Sequence, residues 1–451
     1  MKEVRTSFFQ IAFVIVASMT VPYAGAATLA AAGFCALFSI ESALKTITLV
    51  VLIKTLNPVL VAGLTGQVNA LGWLVLCLAG IRILTATIGR GQRPGRLELY
   101  LLIFVSVVSC VSFFKSEFLS ISLFKLISFA FSVLAVFSAY RYLLIRKKNM
   151  ISWFVGLWLA VLGLSLPLFA FPEISYFRDG MGFQGVLNQP QAMAIFCVPA
   201  AAWATSVVVF RGGKAGLVTW VIFTLSWVML FLTRGRIGFI SIGISGVLVL
   251  FWAILGHQRW RSIFSQSVVL KRGIFFLSLL LVYVSIFPDK IFKAVFEFVH
   301  KGQMDRSLSD SFEMSRGFLI AESMENFRQN IWAGIGFGVS RSSKFLFQPV
   351  IEPITGLPIG ASTEKANLIV ALLEEVGVIG TAAFLPFLFC LVWEVKRHAS
   401  FGLAWAFFAM LTVNIGEMVF FSMGGLGLYS ILLVGLAVFT RYEYGQPYSM
   451  R

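Results

Sequence analysis

The feature that most constrains this chain is a long series of apolar runs. About fourteen segments approach the ~20 apolar residues that a helix needs to cross a bilayer. The runs are continuous rather than alternating, which disfavours a membrane β-barrel. The sequence therefore predicts an all-α polytopic membrane protein with about 14 transmembrane helices. The segments are residues 7–22, 26–41, 46–65, 69–88, 98–114, 117–140, 151–171, 189–210, 214–232, 236–256, 271–288, 366–393, 399–421 and 424–440.

The composition excludes a soluble protein. Hydrophobic residues make up 59% of the chain and charged residues 12%, whereas soluble domains carry about 25% charged residues. The net charge of +16 is interpreted as the cationic excess of cytoplasmic loops rather than as a nucleic-acid surface. All cysteines lie in apolar runs without metal-ligand spacing, which is typical of small core residues.

Basic clusters predict the orientation in the membrane. They fall in every second loop, at residues 90–96, 141–148, 211–214, 259–272 and 396–397 and at Arg441. The positive-inside rule assigns these loops and both termini to the cytoplasm. The opposite loops then face outward, and they include residues 172–188, 233–235 and 289–365.

The loop at 289–365 is the only long polar segment. It holds nine basic and nine acidic residues, so it does not belong to the basic belt. Asp310 and Glu313 have capping-box spacing at the start of "DSFEMSRGFLIAESMENF", which predicts a helix there. We therefore predict three parts: an N-terminal bundle of about 11 spans at 1–288, a partly helical periplasmic lid at 289–365, and about three spans at 366–451.

Two glutamates deep in an apolar run require an explanation. If a helix begins near Asn367, Glu374 and Glu375 lie two turns inside a span. Charge at membrane depth is costly, and a helix N-terminus favours anions only in its first turn. This pattern predicts either a functional role for the two carboxylates or a partner that satisfies them.

Cationic and amide side chains gather in the predicted outward loops. Arg234 and Arg236 occupy a tight turn in "LTRGRIGF", and Arg316 falls on the apolar stripe of the lid helix, where it requires an anion. The loop "YFRDGMGFQGVLNQPQAMA" offers Arg178 and Asn188 for sugar hydroxyls. The three histidines and the carboxylates show no metal-ligand spacing, so neither a metal nor another cofactor is predicted.

Four segments together resemble the bacterial O-antigen ligases and Wzy-type polysaccharide polymerases. "FQGVLNQPQAMA" is similar to their Gly-x-x-x-Asn-Pro-Asn region, and "LTRGRIGF" to their Thr-x-Ser-Arg turn, with Gly235 in place of Ser. "RGFLIAESMENFRQNIWAGIGFG" resembles their Arg…Trp…Gly-x-Gly-x-Gly lid segment. "NLIVALLEEVGVIG" resembles their Asn…Leu…Glu-x-Gly-x-x-Gly helix start, with Glu375 at the Glu position. The resemblance covers about residues 178–380.

One departure bears on the reaction. Ligases of this family typically carry a His just before the Asn of the last motif, whereas "STEKAN" places Glu364, Lys365 and Ala366 before Asn367. The departure favours the polymerase branch and leaves open which residue is the general base.

The resemblance implies a metal-independent glycosyltransferase on the periplasmic face of the bacterial inner membrane. The donor would be a glycan on undecaprenyl diphosphate, and the acceptor a lipid-linked repeat unit. Membrane lipid and a chain-length regulator protein are the other partners it implies, and nucleic acid is not. Glu364, Arg236 and Arg316 are assigned to catalysis. Substrate binding is assigned to Arg178, Arg234, Asn188, Arg341, Lys365, Asn367 and Glu375.

Three alternatives remain open at this stage. An O-antigen ligase would transfer the glycan to lipid A–core. A flippase for lipid-linked oligosaccharide would place functional charges along a central cavity at mid-depth. A structural assembly partner would not need several outward-facing arginines.

Overall fold

The computed structural model describes residues 2–21, 23–61, 66–92, 94–176, 182–211, 214–256, 317–340, 350–351, 358–360, 365 and 367–440. The helices in these ranges are α1 (Lys2–Thr20), α2 (Ala24–Ala36), α3 (Ile40–Lys54), α4 (Gly66–Ile88), α5 (Arg96–Lys115), α6 (Leu119–Ile145), α7 (Ile151–Ser165), α8 (Pro172–Ser175), α9 (Pro190–Arg211), α10 (Leu217–Leu232), α11 (Arg236–Gly256), α12 (Phe318–Gln329), α13 (Leu368–His398), α14 (Phe401–Val413) and α15 (Leu426–Phe439). A 3₁₀ turn spans Pro167–Ala170, and the short strands β1 (Val350–Ile351) and β2 (Pro358–Gly360) pair antiparallel.

The predicted all-α membrane architecture is confirmed in its main feature. Six described helices are long and apolar enough to cross a membrane, and five shorter helices are also apolar. Every predicted span overlaps a helix except 271–288, which lies outside the described residues, as do Asp310 and Glu313 of the predicted capping box. The count of 14 spans and the periplasmic placement of the long loop stay predictions.

Successive helices run up and down between two ends of a bundle. At one end, Arg141 at the end of α6 pairs with Glu98 at the start of α5, and Lys148 pairs with Glu41 at 2.6 Å. We call this the basic end, since Arg90, Arg141 and Lys148 lie there.

At the opposite end the polar loops meet. The Asn188 amide before α9 donates to the carbonyl of Thr55 after α3 at 2.9 Å, and the Phe183 amide donates to the carbonyl of Leu232 at the end of α10 at 3.1 Å. Asn57 is fully buried here, and its side-chain amide donates to the carbonyl of Ile174 at 2.9 Å. The described parts of this loop, residues 172–176 and 182–188, are thus tied to the same end of the bundle.

The core between the two ends is strongly aromatic. Phe104, Phe129, Phe384 and Phe421 pack edge to face or stacked, with ring centroids between 4.9 and 6.3 Å. Phe337 reaches this cluster from the chain after α12, with its ring 5.2 Å from that of Phe421. Residues after α12 are therefore anchored in the membrane core.

Candidate functional site

Helix α13 is broken two turns after its start. Gly377 adopts φ 61° and ψ −164°, a left-handed conformation that favours glycine. The amides of Val378 and Ile379, which a continuous helix would direct to residues four earlier, donate instead to the carbonyls of Ile331 at 2.9 Å and Trp332 at 3.1 Å. The chain after α12 therefore replaces the missing turn of α13.

The carbonyls freed by the break are satisfied by the same segment. Ile335 and Gly336 donate their amides to the carbonyls of Glu374 and Glu375, each at 2.9 Å. We call residues 331–338 the glycine segment. It exchanges four backbone hydrogen bonds with α13, so the irregular backbone at membrane depth is buried in protein and satisfied.

Glycine is required at three positions of this segment. Gly334, Gly336 and Gly338 have φ of +67°, +115° and +70°. A side chain at Gly334 would lie 2.6 Å from the carbonyl oxygen of Glu374, and one at Gly336 would meet Ser116. The Gly-x-Gly-x-Gly motif thus allows the close approach to α5, α6 and α13.

The two glutamates of α13 share one buried cation. The Lys365 ammonium lies 2.7 Å from Glu375 Oε1 and 3.2 Å from Glu374 Oε2, and the three side chains are 7%, 2% and 3% exposed. Lys365 also donates to the carbonyl of Val339 at 2.7 Å, and Glu375 Oε2 accepts from the Gly338 amide at 2.6 Å. Both oxygens of Glu375 therefore hold partners.

Helix α12 completes this network. The Asn326 side-chain amide donates to Glu374 Oε1 at 2.7 Å and is itself buried. Burial alone lowers the pKa of Lys365, but the carboxylates of Glu375 and Glu374 more than offset this and raise its pKa above the ordinary value. The Lys365 ammonium thus links α13 to the chain after the glycine segment, and Glu374 links α13 to α12.

A cavity of about 600 Å³ opens beside this network, at the end opposite the basic end. Its size is typical of small-molecule sites. Charged, amide and aromatic side chains all contribute to its wall. They are Lys54, Lys125, Lys365, Glu375 and Glu417; Asn69, Asn188, Gln189 and Gln191; and Trp73, Phe124, Phe337 and Phe421.

The predicted site residues do not all lie in one place. Asn188, Lys365 and Glu375 line the cavity. Asn367 is the N-cap of α13: its side-chain oxygen accepts from the Ile369 amide at 2.8 Å and its NH₂ donates to the carbonyl of Ile415 at 2.9 Å. Glu364, Arg316, Arg178 and Arg341 lie outside the described residues.

The arginine turn lies next to the cavity rather than in its wall. Arg236 is the first residue of α11 and half-buried, and Arg234 is exposed with φ 52°. Gly235 between them approaches Ala194 of α9 so closely that a side chain would lie 2.6 Å from its Cβ. The first residues of α9 line the cavity, so one helix separates this turn from it.

Part of the chain matches a known protein family. Residues 221–385 match the profile of the family described as O-antigen ligase (Wzy_C). This stretch carries the signature of the O-antigen ligase family. No curated protein matches the chain significantly.

The O-antigen ligase stretch contains the residues of the break. It includes α11, α12, the glycine segment and the first half of α13, and thus three of the four segments on which the resemblance rests. The match confirms the resemblance to the O-antigen ligases and polymerases and indicates a membrane enzyme of this class.

Several cavity residues lie outside the O-antigen ligase stretch and were not assigned from sequence. They are Lys54, Asn69, Trp73, Lys125 and Gln191. Lys125 had a usable signal, because it is the one charged residue of α6 before Arg141 and an ionisable residue in a span is a candidate functional group. The cavity wall thus combines family motifs with side chains of α3, α4, α6 and α9.

Proposed function

We propose that the chain is an inner-membrane glycosyltransferase that moves a glycan from undecaprenyl diphosphate to a lipid-linked repeat unit, as an O-antigen or exopolysaccharide polymerase. One observation carries the proposal. Two motif segments of the O-antigen ligase stretch, the glycine segment and the start of α13, line a cavity of about 600 Å³ that offers cations, amides and aromatic rings together.

The chemistry requires charge stabilisation of the leaving group and a base for the acceptor. The acceptor hydroxyl oxygen forms a bond to the anomeric carbon, the bond between that carbon and the diphosphate oxygen breaks, and undecaprenyl diphosphate leaves as an anion. Arginines stabilise this charge without protonating it: Arg236 and Arg316 form the clamp, supported by Arg178, Arg234 and Arg341. Glu364 takes the proton of the attacking hydroxyl, and it precedes Lys365 of the cavity wall in the sequence.

Three residues hold the site in shape and do not touch the reacting atoms. They are Glu375, Lys365 and Asn367. Both Glu375 oxygens are engaged by Lys365 and Gly338, so this carboxylate is a poor general base. Asn188 faces the cavity and is suited to hydrogen-bond a sugar hydroxyl.

A ligase that transfers the glycan to lipid A–core is the second candidate. The description of the matched family favours it, whereas the absence of His before Asn367 favours the polymerase. A flippase is less well supported, because the described cavity charges gather at one end of the bundle instead of following a path through it.

The proposed topology has 14 spans, cytoplasmic termini and a periplasmic lid at 289–365. The cavity lies opposite the end where the basic loops meet, and basic loops are cytoplasmic by the positive-inside rule. This arrangement supports a cavity that faces the periplasm.

The test is chain growth by the purified protein in proteoliposomes supplied with undecaprenyl-diphosphate-linked repeat units, either alone or together with lipid A–core. We expect elongation without nucleotide sugars, and Glu364→Gln should lower its rate by about 10²–10⁴. Glu394→Gln, in the pair with His398 at the far end of α13, is the control. Transfer to lipid A–core alone would establish the ligase, and transport without chain growth would refute both.

A further inference from the structure

We infer that Lys125 is the anion-binding group of the cavity and holds an oxyanion of the substrate, either the donor diphosphate or an acidic group on the sugar. The inference rests on the proposed function and assigns a residue outside the O-antigen ligase stretch to substrate recognition. It is carried by the hydrogen bonds of the cavity lysines and by the direction of the helices around them.

Lys125 retains unused donor capacity. Its ammonium donates to the carbonyl of Gly338 at 2.9 Å, the one hydrogen bond it makes within the described residues. An ammonium group has three donors, so two remain for a ligand in the cavity that Lys125 lines. A cation inside a span is costly, and an anionic ligand would offset that cost.

The other two lysines of the cavity wall are differently placed. Lys365 forms ion pairs with Glu374 and Glu375 and donates to the carbonyl of Val339, so its charge is already compensated by protein groups. Lys54 lies with its ammonium 4.8 Å from the ring centre of Trp73, so it covers an aromatic face of the wall. The charge of Glu375 is already compensated by its own partners.

Helix direction adds to the positive potential. Helices α4, α6, α9 and α15 all begin at this end, and each contributes a residue of its first turns to the cavity wall. Helix N-termini carry partial positive charge and favour anions. The amides of Asn69, Asn188, Gln189 and Gln191 line the same cavity and suit sugar hydroxyls, so an oxyanion at Lys125 would fix one end of a glycan-bearing ligand.

The binding test uses the full-length protein in phosphatidylcholine nanodiscs and equilibrium dialysis with two probes, inorganic pyrophosphate and glucuronate. We expect Lys125→Gln to weaken binding of the recognised anion roughly 10- to 100-fold, as for loss of a charged hydrogen bond. Lys125→Arg should retain most of the affinity. Lys148→Gln at the basic end, where the lysine is largely exposed, should leave it unchanged.

A second measurement needs no variant. The wild-type protein is acetylated with an N-hydroxysuccinimide ester with and without pyrophosphate or glucuronate, and modification of each lysine is measured by mass spectrometry. The recognised anion should protect Lys125 and leave Lys148 reactive.

The outcomes are distinct. If pyrophosphate binds through Lys125, the ligand of Lys125 is the donor diphosphate. If glucuronate binds through Lys125, its ligand is an acidic sugar. Binding that is the same in wild type and Lys125→Gln, absence of binding of both anions, or absence of protection overturns the inference. Chain growth is measured separately, so an inactive protein that still binds anions through Lys125 refutes the proposed function alone.

Discussion

At the residue scale, the buried carboxylates of α13 are structural charges. Glu374 and Glu375 have a cation, a side-chain amide and a backbone amide as partners, which is what a charge at this depth requires. The stability of such a network depends on each of its residues. Removal of one partner leaves the others buried and uncompensated.

Lys365→Met removes the cation from between the two carboxylates. We expect a loss of about 3–5 kcal/mol in the free energy of unfolding, because two buried charges lose their common partner. Heating in detergent followed by size-exclusion chromatography measures the shift. The control is Lys148→Met, which breaks an exposed pair and should stay within about 1 kcal/mol of the wild type. Equal shifts in the two variants would show that the network contributes little.

The variants Glu375→Gln and Glu364→Gln distinguish a residue that stabilises the site from a residue that takes part in the reaction. Glu375→Gln should lower thermal stability together with activity, because its Oε1 pairs with Lys365 and a neutral amide leaves that ammonium undercompensated. Glu364→Gln should lower activity at unchanged stability. A Glu375→Gln protein of wild-type stability without activity would transfer the base assignment to Glu375.

The sequence predicted part of this network. The depth of Glu374 and Glu375 in a span was enough to predict that they need partners, and Asn367 was correctly placed at the helix start. The identity of the partners was not predictable, because Asn326 lies 48 residues from Glu374 and only the fold brings them together. Lys365 was assigned to substrate binding, although its donors are held by protein groups.

At the element scale, the glycine segment and α13 form one unit. The resemblance identified both motifs, but it could not predict that the Gly-x-Gly-x-Gly run supplies the missing turn of the Glu-x-Gly-x-x-Gly helix. The reason is that backbone hydrogen bonding between distant segments leaves no periodic pattern. Gly334 and Gly377 lie on the two sides of one contact: a side chain at Gly334 would meet the backbone of Glu374 and Glu375, and one at Gly377 would meet the backbone of Trp332.

Gly377→Ala tests this unit. A side chain here would lie 2.5 Å from the carbonyl carbon of Trp332, and the positive φ is itself unfavourable for alanine. We expect a thermal midpoint lowered by several degrees and faster proteolysis between α12 and α13.

Gly243→Ala in α11 is the matched control. No neighbouring atom lies within 4 Å of a side chain at this position, and alanine is the better helix former. We expect its stability to equal or exceed that of the wild type. A Gly377→Ala protein that behaves like Gly243→Ala would show that the break does not depend on glycine.

At the scale of the whole molecule, the chain has a basic end and a cavity end. Hydropathy located the helices, because each apolar run has few alternatives to a helix in a bilayer. It did not locate the cavity, which takes single side chains from helices far apart in sequence. Hydropathy also could not show how Arg234 and Arg236 lie relative to the cavity. They are at the cavity end of the bundle, but α9 lies between them and the cavity.

Thiol labelling tests the sidedness of the two ends. In a background without the five native cysteines, Ser422→Cys in the cavity wall and Lys148→Cys at the basic end are treated with a membrane-impermeant maleimide. We expect cells with a permeabilised outer membrane to label Ser422→Cys only, and inverted membrane vesicles to label Lys148→Cys only. The reverse pattern would place the cavity in the cytoplasm and exclude transfer on the periplasmic face.

The break at Gly377 has a consequence for biogenesis. Helix α13 cannot leave the translocon as a finished span, because the peptide groups around its interruption obtain their partners from residues made some forty positions earlier. We expect α13 to insert first and residues 331–336 to dock on it afterwards, so that the newly inserted protein passes through a stage with an incompletely hydrogen-bonded helix.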